Sequence, residues 1–439
     1  MMCKGPKVNR HPFGDYAAYV SGLERLAEKP RYVTDWDVHA VAALNGQASS
    51  ELRRLTSVEI RRQFGVFFTG TDLSSRLLAH GDAIDTSSVF YDPTCGMGDL
   101  LLAAANRLPL CENLSETLHQ WGRQISGTDL HREFVAGAKA RLVLLARQRH
   151  KTDETLKIPC ASFFPHIRVA DGLRQRTMFR RATHFLLNPP FGLARAPMGC
   201  GWAGGRITDA AKFVVAALER AKPGAVMLAI LPDVLRSGSF TAQWRGRVGE
   251  LADVHLAKPY GLFDASADVD VFMLRLTRRR CQKRLCNRRW PAPALARTTV
   301  VADCFDVHVG RVVPQRDKEA GPCHLYIYPR CVPAWKVIRK LSESRKHQGQ
   351  AFAPPFVVIR RTSRPGDMYR ATASVIAGTM PVAVENHLIV CEPKDGKLAT
   401  CGCLMRQLKT ETVNEYLDAR IRCRHLTVGA VSSIPFKPS

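Results

Sequence analysis

No apolar run in this chain of 439 residues reaches the roughly 20 residues that a helix needs to cross a bilayer. A helical membrane enzyme is therefore not expected. The start, from Met1 to Tyr16, is polar and broken by Pro6 and Pro12, so it offers neither the apolar core of a signal peptide nor an amphipathic transit helix. A cytoplasmic location without a membrane partner is expected. None of the 14 cysteines falls into a paired C-x-x-C arrangement, and Cys401 and Cys403 are the nearest pair, so reduced thiols and no metal are expected. Acidic residues are scarce, with 39 Asp and Glu against 64 Lys and Arg, and the formal net charge is +25. Lys and Arg gain affinity on a polyanion by releasing its condensed counterions, so nucleic acid is the expected partner. No internal repeat is present.

What remains is the composition of a folded protein, 46% hydrophobic and 23% charged, long enough for two domains. Residues 1–80 are predicted as an N-terminal helical region, with Tyr19, Leu23 and Leu26 at helical spacing and Pro30 stopping the first segment. From Ser88 the pattern changes to short apolar runs, each followed by a turn and an amphipathic stretch. Val89-Phe90-Tyr91, Ile125-Ser126-Gly127, His184-Phe185-Leu186-Leu187, Val226 to Leu231 and Val271 to Leu274 are such runs. Strands alternating with helices predict a parallel sheet covered on both faces over 81–276. Residues 277–297 are dense in arginine and carry Pro291 and Pro293 after the arginines, which predicts a basic linker. Residues 298–439 lack the alternation and are predicted to form a separate mixed α+β domain.

The segment Phe90 to Leu102 reads as a strand, a glycine turn and a helix start. The six-residue G-x-G-x-x-G pattern of dinucleotide sites fails here, because Leu101 stands at its last glycine. A small nucleoside fits such a turn better than a pyrophosphate. Asp129 and Asp171 close later strands, where carboxylates can accept ribose hydroxyls and an exocyclic amine; each is also an ordinary turn or helix-cap residue. The most specific signal is Asn188-Pro189-Pro190-Phe191 at the end of an apolar strand. Two prolines fix the backbone and remove its donors, so the Asn188 side-chain oxygen and the Pro189 carbonyl can both accept from an amine while Phe191 offers a flat face. A proline-rich turn with a core Phe is the plainer reading of the same four residues.

Together these features resemble the γ-class N6-adenine DNA methyltransferases, in the catalytic half the modification subunits of type I restriction systems, and in layout the single-chain type II enzymes. Phe67-Phe68-Thr69 resembles the F-[FY]-T-P motif, Asp92-Pro93-Thr94-Cys95-Gly96-Met97-Gly98 the D-P-x-x-G-x-G motif, and Asn188 to Phe191 the [DNS]-P-P-[FYW] motif, with Asp129 and Asp171 between them in order. The resemblance covers about residues 55–276. It implies a Rossmann-like fold and S-adenosylmethionine as cofactor, contacted by Phe68, Thr69, Asp92, Pro93, Thr94, Gly96, Gly98, Asp129, Leu130, Asp171 and Gly172. It further implies that Asn188, Pro189, Pro190 and Phe191 act on an adenine rotated out of double-stranded DNA, with Phe191 and Phe263 stacking on the base. Gly70 replaces the usual proline, which is expected to loosen that turn. The gap between Asp92 and Asp129 exceeds the roughly 20 residues of a nucleotide-binding unit, which implies an insertion around Glu112 to Arg123.

Residues 298–439 resemble a target-recognition domain in layout, and Arg360, Arg361, Arg364, Arg422 and Arg424 are its candidate DNA contacts. A restriction endonuclease or another defence protein is a candidate partner. Similar N-P-P-F motifs occur in enzymes that methylate RNA bases or protein glutamine, and a modification subunit with a separate specificity protein is a further alternative. The Phe-Phe-Thr landmark and the basic C-terminal region favour DNA.

Overall fold

A computed structural model of the chain describes residues 12–31, 35–196, 199–264, 269–280, 290 and 299–438. Most of the arginine-rich stretch expected as a linker, and most of the polar start, lie outside the described residues. The chain divides into two compact units, Met1–Leu235 with Gln243–Pro291, and Arg236–Ala242 with Ala292–Ser439. Among the described residues no helix is long and apolar enough to cross a membrane.

The first unit opens with helices α1 (Gly14–Glu28), α2 (Trp36–Leu44), α3 (Gln47–Leu55), α4 (Val58–Phe64) and α5 (Thr71–Ala79). Tyr16, Val20, Leu23 and Ala27 recur every three or four residues and form the buried stripe of α1. These helices do not stand apart as a separate region, because α1 and α2 pack on α8 (Arg132–His150) in the same core as the sheet.

Between them run β1 (Phe90–Asp92), α6 (Asp99–Ala105), α7 (Leu114–Gln124) and β2 (Ile125–Asp129). Helix α7 occupies the excess length between Asp92 and Asp129. Asn113 caps it by accepting the Glu116 amide at 2.9 Å, and Leu114, Leu118 and Trp121 anchor it in the core. After α8 come β3 (Ile167–Val169), α9 (Arg176–Arg181), β4 (His184–Leu187), the small hairpin β5 (Leu193–Arg195) and β6 (Arg206–Thr208), and α10 (Asp209–Arg220). Strands β7 (Val226–Pro232), β8 (Ala252–Leu262) and β9 (Asp270–Arg278) complete the unit.

The main sheet has the order β3-β2-β1-β4-β7-β9-β8. Side chains alternate across it, so Phe90 and Leu186 enter the core beneath α6 and α8, while Tyr91, Phe185 and Leu187 enter the core beneath α10. The sheet is parallel through β7, and β9 runs antiparallel to both β7 and β8. The sequence pattern predicted parallel strands throughout. The difference has a simple cause: β8 and β9 follow each other with too short a connection for a parallel crossover. The result is an open Rossmann-like sheet with Asp92, Asp129 and Asn188 at or just past the carboxyl ends of β1, β2 and β4, where such sheets hold ligands.

The second unit is mixed α and β. Strands β10 (Phe305–Val309), β11 (Cys323–Ile327), β12 (Val337–Ile338), β13 (Ser344–Lys346), β14 (Phe356–Arg360), β15 (Ala373–Ile376), β16 (Val382–Val384) and β17 (Leu388–Pro393) form two sheets, ordered β10-β17-β14-β15-β12 and β13-β11-β16. Val357 and Ile359 pack towards helices Leu398–Leu408 and Glu411–Arg420, while Phe356 and Val358 pack on Ile327, Val382 and Val384. Strand periodicity thus supplies two cores from one sheet.

Candidate active site

A cavity of about 280 Å³ opens at the ends of β1 and β2, lined by Phe68, Thr69, Asp92, Pro93, Thr94, Gly96, Asp129, Leu130, Asp171 and Gly172 among others. Ten of the eleven residues expected to contact a cofactor thus surround one space. The exception is Gly98. It does not line the cavity; at φ 82° it caps α6, and a side chain there would meet Ala138 Cβ at 3.0 Å. Its role is to let α8 approach, and the expectation that it makes room for a ligand is corrected accordingly.

Two carboxylates dominate the chemistry of this cavity. Asp92 Oδ1 accepts the Thr94 amide at 2.9 Å, and among the described residues Oδ2 accepts no hydrogen bond. Burial pushes the Asp92 carboxyl up to about 8, with the nearby charge of Asp129 adding to the effect. Asp129 accepts the His131 amide at 2.9 Å and the Gly96 amide at 3.1 Å, and burial pushes its carboxyl up to about 6. Asp129 therefore also clamps the glycine turn onto the end of β2. Asp171 is more open: it accepts the Leu173 amide at 2.9 Å and pairs with Arg174 at 3.2 Å. Buried carboxyls with raised values seek a cationic ligand, since a positive charge restores their ionised form. The donor set fits a small nucleoside carrying an ammonium or sulfonium charge.

A second cavity, of about 210 Å³, is lined by Arg62, Gly65, Phe67, Asn188, Pro189, Phe191, Gly192, Phe263 and Val269. The Phe191 and Phe263 rings meet edge to face, with centroids 5.5 Å apart at 67°. Arg53 of α3 pairs with Asp264 at 2.9 Å and ties the backbone beside Phe263 to the helical layer. Asn188, Gly65 and Phe67 line both cavities. Asn188 Nδ2 donates to Thr69 Oγ1 at 2.9 Å, so the amide is oriented and its oxygen remains an acceptor. Pro190 faces the first cavity and Pro189 the second.

Several lining residues escaped the sequence reading. His131 and Phe134 begin α8 and carry Phe68, whose ring meets Phe134 at 5.3 Å. Asp209 and Phe213 begin α10 and close the far wall. Proximity to a strand tip was the available signal for His131 and Phe134, which follow Asp129. Asp209 and Phe213 lie beyond the β5–β6 hairpin and had no local signal. Gly70 corrects another expectation. Its turn is not loose, because its amide donates to Asp99 Oδ2 at 2.8 Å.

In the second unit the two arginine segments, distant in sequence, lie side by side. Ser363 donates to the Arg424 carbonyl at 2.9 Å and Leu426 to the Arg361 carbonyl at 2.8 Å. Arg370, fully buried, joins them by donating to Ser363 Oγ at 3.0 Å and to the carbonyls of Ile421 and Cys423 at 3.2 and 3.1 Å. Arg364 and Arg424 are exposed and Arg422 is half-buried. Arg360 and Arg361 differ from the expectation of surface contacts: Arg360 donates to the Val332 carbonyl at 2.7 Å, and Arg361 to the carbonyls of Leu426 and Asn386 at 3.2 and 3.3 Å. Both brace the fold.

No protein-family model and no curated protein matches the sequence. Among solved structures, the chain is similar to the type IIL restriction-modification enzyme MmeI in complex with DNA, with 12% identity, 95% of this chain and 79% of that chain covered, and a TM-score of 0.54. It is also similar to the type IIG restriction endonuclease BpuSI, at 14% identity over 98% of this chain and 71% of that one, TM-score 0.43. A third is a Vibrio vulnificus protein described as the modification subunit of a type I restriction enzyme, at 18% identity over 56% of this chain, TM-score 0.39. The chain spans about half, 51%, of that subunit's length. In its fold, over almost its whole length, the chain is of one kind with the restriction-modification enzyme MmeI.

Proposed function

We propose that the chain transfers a methyl group from S-adenosylmethionine to N6 of an adenine flipped out of double-stranded DNA, at a specific site, within a restriction-modification or related defence system. The observation that carries this reading is the double exposure of Asn188, which lines both a carboxylate-rich cavity and an aromatic-walled one. The cofactor supplies an electrophilic methyl on a sulfonium. The Asp92 carboxylate would hold its ammonium group, Asp129 its ribose and Asp171 the amine of its adenine, with Leu130 and Phe213 against the ring.

In the second cavity, Phe191 and Phe263 would stack with the flipped base, which offsets part of the few kcal/mol of unstacking and unpairing. The Asn188 oxygen and the Pro189 carbonyl would accept from the N6 amine, turning its lone pair out of conjugation and towards the first cavity. These acceptors would also stabilise the positive charge that develops on the nitrogen as the N–C bond forms and the S–C bond breaks. The demethylated cofactor leaves as a neutral thioether and the extra N6 proton passes to solvent, so positioning and charge complementarity would carry the step without a covalent intermediate. Replacing Phe263 with Ala is expected to weaken binding of DNA containing the target site by roughly 5- to 150-fold, the worth of one base stack at about 1–3 kcal/mol. Titration of labelled duplex checks this; unchanged affinity together with unchanged turnover would remove Phe263 from the base pocket.

The second unit would read the DNA. Arg364, Arg422 and Arg424, gathered by Arg370, give it a basic edge suited to phosphates and guanine edges. Removing a phosphate contact is expected to lower the salt-dependence slope of binding by about 1. Arg364→Ala and Arg424→Ala should each show this in titrations from low to moderate salt, and slopes unchanged in both variants would move the DNA path elsewhere. Incubating the chain with labelled cofactor and duplex DNA, single-stranded RNA or protein tests the substrate class directly, and transfer to DNA alone is the expected result.

A further inference from the structure

Arg141 sits in the middle of α8 with its side chain fully buried, and none of the roles above uses it. Its Nε donates to the Ala43 carbonyl at 2.9 Å, at the end of α2. Its Nη1 donates to the Met97 carbonyl at 2.7 Å, inside the glycine turn, and to Asp99 Oδ1 at 2.8 Å. The other oxygen of Asp99 accepts the Gly70 amide at 2.8 Å, and the residue before Gly70 is Thr69, whose hydroxyl accepts from Asn188 at 2.9 Å. A continuous line of bonds thus runs from a buried guanidinium to the amide at the junction of the two cavities. Asp99 is the link that joins both walls: one oxygen serves the arginine that holds the glycine turn, the other holds the Phe67 to Gly70 segment.

Gly70 makes this link possible. Its backbone has φ 74° and ψ 163°, a region essentially restricted to glycine, and its N–H is the donor that Asp99 needs. Proline, which the resembled motif carries at this position, has no N–H and fixes φ near −65°. Here it would remove the bond and force the turn into another course.

Resting on the proposed methyl transfer, we infer that Asp99, oriented by Arg141, is a positioning residue for the reaction. It fixes the Gly70 turn, and through it the Thr69 hydroxyl that aims the Asn188 amide. Arg141 holds one oxygen of Asp99 and the Gly70 amide the other, so neither oxygen can wander from its donor.

The experiment compares Asp99→Ala in the wild-type background and in a Thr69→Val background, with cofactor and DNA both saturating. Misplacement by about 1 Å can cost about 100-fold in rate. Asp99→Ala is therefore expected to lower kcat roughly 10- to 100-fold in the wild type but by less than about 3-fold beside Thr69→Val, because contacts acting through one chain are not additive. Hydrogen exchange supplies a readout without turnover: the Gly70 amide should lose at least about 10-fold of its protection in Asp99→Ala, while segments of the sheet keep theirs. Because Asp99→Ala leaves a buried guanidinium unpaired and can unfold the chain, Gly70→Pro serves as the second variant. It is expected to lower kcat about 100-fold or more while the chain remains folded.

Equal losses from Asp99→Ala in both backgrounds, or a Gly70→Pro variant with wild-type kcat, would overturn the inference while leaving the proposed function standing. A wild-type chain that binds the cofactor and DNA yet transfers no methyl group would sink the proposed function, and this inference with it.

Discussion

Replacing Asn188 with Ala is expected to lower methyl transfer by about 100- to 1000-fold, the cost of removing one preorganised hydrogen-bonding group aimed at a developing charge. Cofactor and DNA affinities should stay within about 3-fold, because the carboxylates of the first cavity and the aromatic rings of the second are untouched. The separation follows from geometry. Asn188 lies where the two cavities meet, and its amide is turned by Thr69 so that the oxygen is left as an acceptor. Single-turnover transfer with prebound cofactor and DNA is the proper readout. A variant with near-normal turnover would remove Asn188 from the mechanism, and a variant that no longer binds DNA would make it a binding residue.

The second large effect concerns Asp92. Truncating one partner of a buried charge pair typically costs about 2–5 kcal/mol, so Asp92→Asn should weaken cofactor binding by roughly 30-fold or more. Its pH dependence carries a sign that can be worked out. The carboxyl titrates near 8 in the folded chain and near 3.9 when unfolded. Below about pH 8 the free site is therefore protonated, a cationic ligand must expel that proton, and affinity rises as pH rises from 6 towards 8. Calorimetry in buffers of different ionisation enthalpy should register proton release with the wild type at pH 7 and less with Asp92→Asn.

The same raised value predicts an effect on stability in the opposite direction. A carboxyl that holds its proton more tightly when folded contributes stability that is present below the unfolded value and is lost as pH rises through the folded one. The ligand-free wild type should lose stability from about pH 4 to pH 8 through this group, whereas Asp92→Asn should not. At pH 8 the variant should melt at a higher temperature than the wild type while binding cofactor worse. Equal melting temperatures across that range would mean that Asp92 is ionised at no cost and does not wait for a cation.

Features set by neighbours in sequence were legible before the fold was known. The strand, turn and helix around Asp92, and the rigid Asn188 to Phe191 segment, are local: glycine and proline chemistry at fixed spacing dictates them. The excess length between Asp92 and Asp129 was legible, and it holds α7, in which Leu114, Leu118 and Trp121 form an apolar stripe. What could not be read depends on groups far apart in the chain. Arg141 looked like any helix arginine, since its partners at Ala43, Met97 and Asp99 are set by how α8 packs.

The same limit explains the errors. Gly98 carried the spacing of a ligand-facing glycine, yet the neighbour that needs its bare backbone is Ala138. Arg360 and Arg361 read as surface charge because sequence does not tell whether a guanidinium meets a carbonyl or water. The adjacency of the two arginine segments rests on Arg370, a residue without any distinguishing neighbour in sequence. The antiparallel end of the sheet was missed because apolar runs show strands but not their direction.

On the proposed function, one amide exposed to two cavities would deliver an adenine amine to a methyl donor. The most direct test is mass spectrometry of nucleosides from double-stranded DNA incubated with the purified chain and S-adenosylmethionine. N6-methyladenine in the DNA is the expected product, with none formed by Asn188→Ala. A methyl group found on cytosine, on RNA or on protein instead, or on no acceptor although the chain binds both cofactor and DNA, would contradict that function.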